Sequence, residues 1–184
     1  WAYSFRVPYL TDGANGTLNF NGSVLEFTKG AGKGSQIIGW DGDNTPGNPI
    51  SRIEQSYTQS WVADITPVMR HQPGPTAFSA VGFEIAVGPT AYTEVTPQRF
   101  TDGIRRVFTE TNSPETGIAR VTVPDTADVR LRLAWDAAAK IITVAYSFDA
   151  GATYSTLRTV PISEWGVQPT SGFQFELMGY STAP

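Results

Sequence analysis

Residues 128–155, DVRLRLAWDAAAKIITVAYSFDAGATYS, decide the fold. Residues 129–135 and 141–148 are strand-like runs, parted at Trp135-Asp136 and followed by a glycine-bearing turn. The best helical run in the chain, residues 134–140, falls between them and is too short to stand as a helix. Outward from this stretch, helical periodicity is nearly absent and alternation with turn punctuation takes its place. Trp1, Tyr3, Phe5 and Val7 share one parity against Ala2, Ser4 and Arg6, the pattern of a half-buried opening strand. Residues 18–20 and 23–28 flank Asn21-Gly22, the clearest hairpin, because Asn-Gly tolerates the positive φ values of a type I′ turn. Further strands are expected at 36–40, at 51–65 as one long strand bulged or bent along its length, and at 78–87. Others are expected at 104–109, 119–123, 153–160 and 173–180. In 78–87 the core side would be Val81, Phe83, Ile85 and Val87. Residues 29–35 and 41–49 read as loops. Turns at this interval, with no internal repeat and no linker, predict one domain over 1–184. The expected fold is all-β: a two-sheet antiparallel β-sandwich of the jelly-roll kind.

Composition narrows the chemistry. Only 16% of the 184 residues are charged, against roughly 25% in an average globular chain. Lys and Arg number 13 against 17 Asp and Glu, a net charge of −4, with no basic cluster to neutralise phosphates. Nucleic acid is therefore not an expected partner. The absence of Cys excludes thiol nucleophiles, disulfides and zinc ribbons, and a single His excludes histidine-pair copper or zinc sites. No apolar run approaches the ~20 residues of a membrane span, so membrane insertion is not expected, and no signal peptide opens the chain. The abrupt start at Trp1 reads as a mature protein or a domain of a larger, multidomain secreted one, and the composition suits an extracellular setting.

Ser147-Phe148-Asp149-Ala150-Gly151-Ala152-Thr153-Tyr154 matches the Asp-box pattern S-x-D-x-G-x-T-[WY]. Asp and Ser side chains bond turn amides there, and Gly takes a conformation that a Cβ would penalise. Sialidase propellers carry several such boxes and this chain has one, so its expected role is to stabilise a hairpin. Together with residues 173–181 (FQFELMGYS), the stretch 128–155 resembles the C-terminal half of concanavalin A-like lectin/glucanase domains, whose final strand ends near Gly-Tyr-Ser and returns beside the first. The resemblance implies a lectin-like sandwich with a glycan-related role. That fold is shared by lectins, carbohydrate-binding modules, glycoside hydrolases and alginate-type lyases. The glucanase branch carries Glu-x-Asp-x-x-Glu on one strand, a spacing this chain lacks. The lyase branch carries Arg-x-Glu with Gln-x-His. Arg52-Ile53-Glu54 supplies the first element, but His71 precedes Gln72 in a proline-rich stretch and the second element is missing.

Glu54, Glu84 and Glu176 each fall on the non-core parity of an expected strand, where an open sheet face would present them. Paired carboxylates ~5–9 Å apart suit glycoside hydrolysis, and solvated strand positions or partners for arginine are the plainer reading. Sugars bind aromatic rings through apolar C–H faces and need planar polar groups for their hydroxyls. Residues 40–61 supply both kinds, in Trp40, Arg52, Glu54, Gln55, Tyr57, Gln59 and Trp61. Trp61 alone reads better as core, as do Trp135 and Trp165. Asp41, Asp43 and Asn44 offer oxygen ligands for calcium without the EF-hand pattern. Calcium is thus the one cofactor left open, and Asx-turn chemistry explains the same residues. Asn15-Gly16-Thr17 and Asn21-Gly22-Ser23 are glycosylation sequons that turn use explains as well.

The expected function is an extracellular, non-catalytic polysaccharide-binding module. Its ligand residues would be Trp40, Arg52, Glu54, Gln55, Tyr57, Gln59, Trp61 and Glu84. The first alternative is a polysaccharide-cleaving enzyme, hydrolase or lyase, with Glu54 and Glu84 as catalytic residues. The second is a structural or adhesion domain that binds protein. Fold cannot separate these three.

Overall fold

The computed structural model describes residues 16–20, 25–29, 36–38, 51–68, 79–88, 91–99, 102–111, 116–124, 126–169 and 172–181. For 16–20, 25–29, 36–38, 51–55, 79, 81, 88, 116 and 176–181 it describes the backbone course alone. The expected strands at 1–7 and the loop at 41–49 lie outside these residues. The alternating segments form β1 (Gly16–Phe20), β2 (Leu25–Lys29), β3 (Gln36–Ile38), β4 (Ser51–Gln55), β5 (Trp61–Ile65) and β6 (Ser79–Gly88). There follow β7 (Ala91–Arg99), β8 (Arg105–Thr111), β9 (Thr116–Thr122), β10 (Arg130–Asp136), β11 (Ile141–Ser147) and β12 (Ser155–Pro161). A single 3₁₀ turn, Ile162–Trp165, leads to β13 (Phe173–Ser181).

β1 and β2 pair antiparallel as the expected hairpin, but Phe20 registers with Leu25, so the paired ends are separated by four residues rather than the two of a type I′ Asn-Gly turn. The other strands make two antiparallel sheets. One runs β12-β11-β10-β5; the other runs β3-β13-β6-β7-β8-β9, with β4 also paired to β13. Gly179, Tyr180 and Ser181 of the last strand register with Ile38, Ile37 and Gln36 of β3.

Between the sheets lies the core. Phe83, Ile85, Val95, Val107 and Phe173 come from the larger sheet, and Leu131, Leu133, Trp135, Ile142, Val144 and Val160 from the smaller. Strand alternation puts every second residue there. Polar atoms that enter this layer are paired: the Trp165 indole donates to Thr93 Oγ1 at 3.0 Å, and Thr109 Oγ1 donates to the Glu94 carbonyl at 2.6 Å. An unpaired polar group buried there would cost about 1–3 kcal/mol.

The single long strand expected over 51–65 is instead two strands in different sheets. β4 registers with β13 and β5 with β10, so the chain crosses the sandwich at 56–60. Ser56 makes the corner. Its Oγ accepts the amides of Thr58 (3.2 Å) and Gln59 (3.1 Å), and its carbonyl accepts the Trp61 indole at 2.9 Å. Short side-chain bonds to nearby amides offer the backbone an alternative to the ladder. The crossing also explains why neither parity of 51–61 is wholly apolar.

β7 is a strand that sequence reading does not give. It contains Pro97, which removes a ladder donor and argues against a central strand. Yet β7 sits between β6 and β8, and Pro97 registers with Val107. Near this missing donor the neighbouring strand carries Gly82, where a Cβ would come 2.2 Å from the Val95 carbonyl oxygen.

The run 134–140 is not helical. β10 ends at Asp136, whose Oδ1 accepts the amides of Ala138 and Ala139, both at 2.9 Å, and Lys140 takes φ 58° to close the turn into β11. Arg158 of β12 clamps the two sheets: its guanidinium donates to Thr111 Oγ1 at 2.9 Å, to the Gly117 carbonyl and to Glu164.

Candidate functional site

In β6, β7 and β8 the face turned from the core sets polar residues among Ala80, Gly82, Ala86 and Phe108. On β7 the polar ones are Tyr92, Glu94, Thr96 and Gln98; Glu84 lies on β6, with Arg106 and Glu110 on β8. Register aligns the carboxylates: Glu84 faces Glu94 across β6–β7, and Glu94 faces Glu110 across β7–β8. On the other side Glu84 registers with Glu176 and Glu176 with Arg52, so one row crosses five strands from β4 to β8. Like charges directly opposed on neighbouring strands destabilise a sheet.

The face is closed rather than open at its centre. Glu84 is 2% exposed, Glu94 8% and Thr96 0%, whereas Glu110 and Arg106 are half-buried. The expectation of an open sheet face at Glu84 is therefore met in parity but not in exposure. Tyr92 is buried as well, and its hydroxyl donates to Glu110 Oε1 at 2.6 Å. Burial, then the bond to Glu110 and the charges of Glu110, Glu94 and Glu84, push its ionisation far above the usual phenol range. Tyr92 thus stays a proton donor that holds Glu110 in place. Gln98 Nε2 donates to Thr96 Oγ1 at 2.8 Å, and Arg106 is gripped by Asp102 at 2.7 and 3.1 Å.

The other residues expected at a site divide into three groups. Trp40, Asp41, Asp43 and Asn44 lie outside the described residues. Among those described, no group of three or more His, Cys, Asp or Glu residues is arranged to hold a metal ion. Arg52, Glu54 and Gln55 belong to β4, in register with Glu176, Gln174 and Phe173 of β13. Arg52 thereby joins the carboxylate row, while Glu54 falls one row away from Glu84 and two strands across. Tyr57 and Trp61 point to the core instead. Tyr57 stacks on Trp135 at 5.4 Å, and Trp61 meets Phe173 edge-on at 5.9 Å. Phe173 is ringed by Tyr57, Trp61, Trp135 and Trp165. The core reading of Trp61 agrees with this packing. Tyr57 keeps a polar edge: Lys140 Nζ sits 4.1 Å from its ring centre, and its hydroxyl donates to Gln168. Gln59 is exposed at the corner. Tyr92, Glu94 and Glu110 were not anticipated. Their alternation in residues 91–98 and 105–111 is legible, but only pairing aligns them with Glu84.

The segment 147–154 closes on itself. Asp149 Oδ1 accepts Ser147 Oγ (2.6 Å) and the Thr153 amide (2.9 Å), and Oδ2 accepts Thr153 Oγ1 (2.6 Å). Ser147 Oγ in turn accepts the Gly151 amide at 2.8 Å, and Gly151 has φ 89°. These donors hold the Asp149 carboxyl down at about 2, Ser147 first and Thr153 next. Tyr154 lies under the Arg132 guanidinium, 3.7 Å from ring centre to Cζ, and Arg132 also pairs with Asp64 at 2.7 Å.

No protein-family model matches the chain, and no curated protein sequence matches it. Among solved structures it is similar to a Bacteroides ovatus structure described as "Xyloglucan PUL GH43B", with TM-score 0.52 and 14% identity over 94% of this chain and 36% of that one. The chain thus spans little more than a third of that protein's length. At this identity the likeness shows the fold. Similarity at lower scores extends to lectin I from Ulex europaeus, solved with the methyl glycoside of α-L-fucose, with TM-score 0.45, 12% identity and 92% of each chain covered. It also reaches the basic winged bean lectin solved with Tn-antigen, with TM-score 0.40 and 19% identity over 93% of this chain and 80% of that one. The chain is an all-β, two-sheet antiparallel sandwich.

Proposed function

We propose that the chain is an extracellular, non-catalytic polysaccharide-binding module that recognises glycan hydroxyls on the polar side of its larger sheet. The observation that carries this reading is the register row Glu84–Glu94–Glu110, extended by Tyr92, Thr96 and Gln98. Sugar hydroxyls need fixed, partly desolvated polar partners, and a sheet holds such groups without much loss of side-chain entropy on binding. Glu110 and Arg106 are the members a ligand would meet first, because they are half-buried while Glu84, Glu94, Thr96 and Gln98 are buried. The described similarity of the Bacteroides ovatus structure makes xyloglucan a natural member of the test panel.

The test is affinity electrophoresis on a polysaccharide panel that includes xyloglucan, with and without calcium. Retardation on at least one glycan is expected, weakened roughly 5–30-fold in Kd by Glu110→Gln, the loss of about 1–2 kcal/mol from one hydrogen-bond partner. Binding unchanged in Glu110→Gln and in Arg106→Gln would sink the assignment of this face.

A second reading is hydrolysis on the same row. Glu84 and Glu94 are direct cross-strand partners, a placement that puts Cβ atoms ~4.5–5.5 Å apart, near the spacing of a retaining carboxylate pair. Glu54 is a poorer partner for Glu84, being on a different row. Release of reducing ends from any panel glycan, abolished by Glu94→Gln, would replace binding with catalysis.

A further inference from the structure

The turn that follows β11 borders a depression of about 260 Å³, lined by Tyr146, Ser147, Phe148, Asp149, Thr153 and Ser155. We infer that this depression is a second binding site, which takes one neutral sugar ring or a similar polyol. It is smaller than the roughly 300–1,000 Å³ clefts that hold drug-sized ligands, so a single ring suits it better than a chain.

Its lining has the two halves that a sugar needs. Tyr146 and Phe148 stand two residues apart on one side of the chain, with ring centres 4.7 Å apart and planes tilted by 44°. Both are half-buried, packing inward on the core and leaving the remainder of each ring toward the depression. That wall offers an aromatic surface to the apolar C–H face of a ring.

Polar groups complete the site. Ser155 registers with Tyr146 across β11–β12. Asp149 is already fixed by three donors, and a carboxylate has about four acceptor positions, so one remains on Oδ2. An acceptor held this firmly loses little freedom on binding. Neither Tyr146 Oη nor Ser155 Oγ hydrogen-bonds to another group among the described residues, and both can exchange bonds with a ligand hydroxyl. The negative charge of Asp149 favours a neutral ligand over a uronate or sulfated one. None of these residues belongs to the carboxylate row on the larger sheet, so this site stands or falls independently of the sheet-face reading.

The experiment is an amide NMR titration of the full chain with the methyl glycosides of glucose, galactose, mannose, xylose and fucose, each alone. At least one is expected to give saturable shifts concentrated on residues 146–155, with Kd on the order of 1–10 mM, about −3 to −4 kcal/mol. Phe148→Ala should weaken that binding at least fivefold, as should Tyr146→Phe and Ser155→Ala. The last two are mild changes that keep the assay informative if Phe148→Ala fails to fold. No saturable shift with any glycoside would overturn the site, as would shifts confined to β6–β8. Binding left unchanged by both Tyr146→Phe and Ser155→Ala would overturn it too. Loss of polysaccharide retardation in Glu110→Gln, by contrast, reads only on the larger sheet.

Discussion

Trp135 and Tyr57 hold each other twice: the Trp135 indole donates to the Tyr57 carbonyl at 3.0 Å, and the two rings stack with centres 5.4 Å apart. Tyr57 lies in the corner where the chain leaves the larger sheet, and Trp135 lies on β10 of the smaller one. One pair therefore fastens the crossover to the sheet it enters.

Tyr57→Ala should consequently cost about 2–3 kcal/mol, below the roughly 3–5 of a fully buried aromatic because this ring is half-exposed. Tyr57→Phe keeps the stack and loses only the 3.2 Å bond to Gln168, so it should stay within about 0.5 kcal/mol of the parent. Urea unfolding of both variants checks this. Equal losses in the two would mean that the hydroxyl, not the stack, matters.

Gly82→Ala should be among the most damaging small substitutions. A Cβ there meets the Val95 carbonyl oxygen at 2.2 Å and Thr96 Cα at 2.9 Å, backbone that cannot turn aside. A loss of at least ~1–3 kcal/mol is expected, the usual cost of overpacking. Gly103→Ala is the control: φ is 77° but nothing lies within 4 Å, so only the ~1–2 kcal/mol of left-handed backbone strain applies. Thermal unfolding should rank Gly82→Ala below Gly103→Ala, and the reverse order would refute the close approach.

Tyr92→Phe removes a buried donor to Glu110 and should destabilise by about 1.5–3 kcal/mol at neutral pH. Tyr92 ionises at a higher pH folded than unfolded. Its stabilising effect is therefore complete below the unfolded value near 10 and falls away as pH rises above it. Unfolding free energy measured between about pH 8 and 11 should decline more steeply in the parent than in Tyr92→Phe. Parallel slopes would show that Tyr92 is not the group responsible.

Asp149 has the opposite sign. Its carboxyl is held at about 2 when folded, against roughly 3.9 unfolded, so the folded state binds fewer protons across that interval and stability rises with pH. The contribution is present above ~4 and lost as pH falls toward 2. Asp149→Asn should flatten the pH dependence of the unfolding midpoint in this window alone. A variant with the parent's slope would remove Asp149 from the acid response.

Much of the fold is legible in local pattern. Alternation over 128–148 yields β10 and β11 with Leu131, Leu133, Ile142 and Val144 fully buried, because a strand's side chains point to opposite faces whatever its neighbours are. Phe83 and Ile85 follow the same rule. The two failures have local causes as well. Pro97 disguises β7 as a break, although the strand lies between β6 and β8, and Ser56 bends what reads as one strand into a corner between sheets. The site is less legible. Tyr57 and Trp61 offer rings that suit a sugar, yet Phe173, over a hundred residues away, draws both into the core.

Sequence alone determined the period-two pattern, the self-bonded turn at Asp149 and the absence of thiol or histidine-pair chemistry, since each depends on residues close together in the chain or on composition. Tertiary structure alone decided that Glu84, Glu94 and Glu110 stand in one row and that Glu54 stands in another. Parity assigns a residue to a face, but strand order and register assign its neighbours there. Those are set by hydrogen-bond ladders and core packing between segments far apart in sequence, where a one-residue slip would move every side chain to the other face.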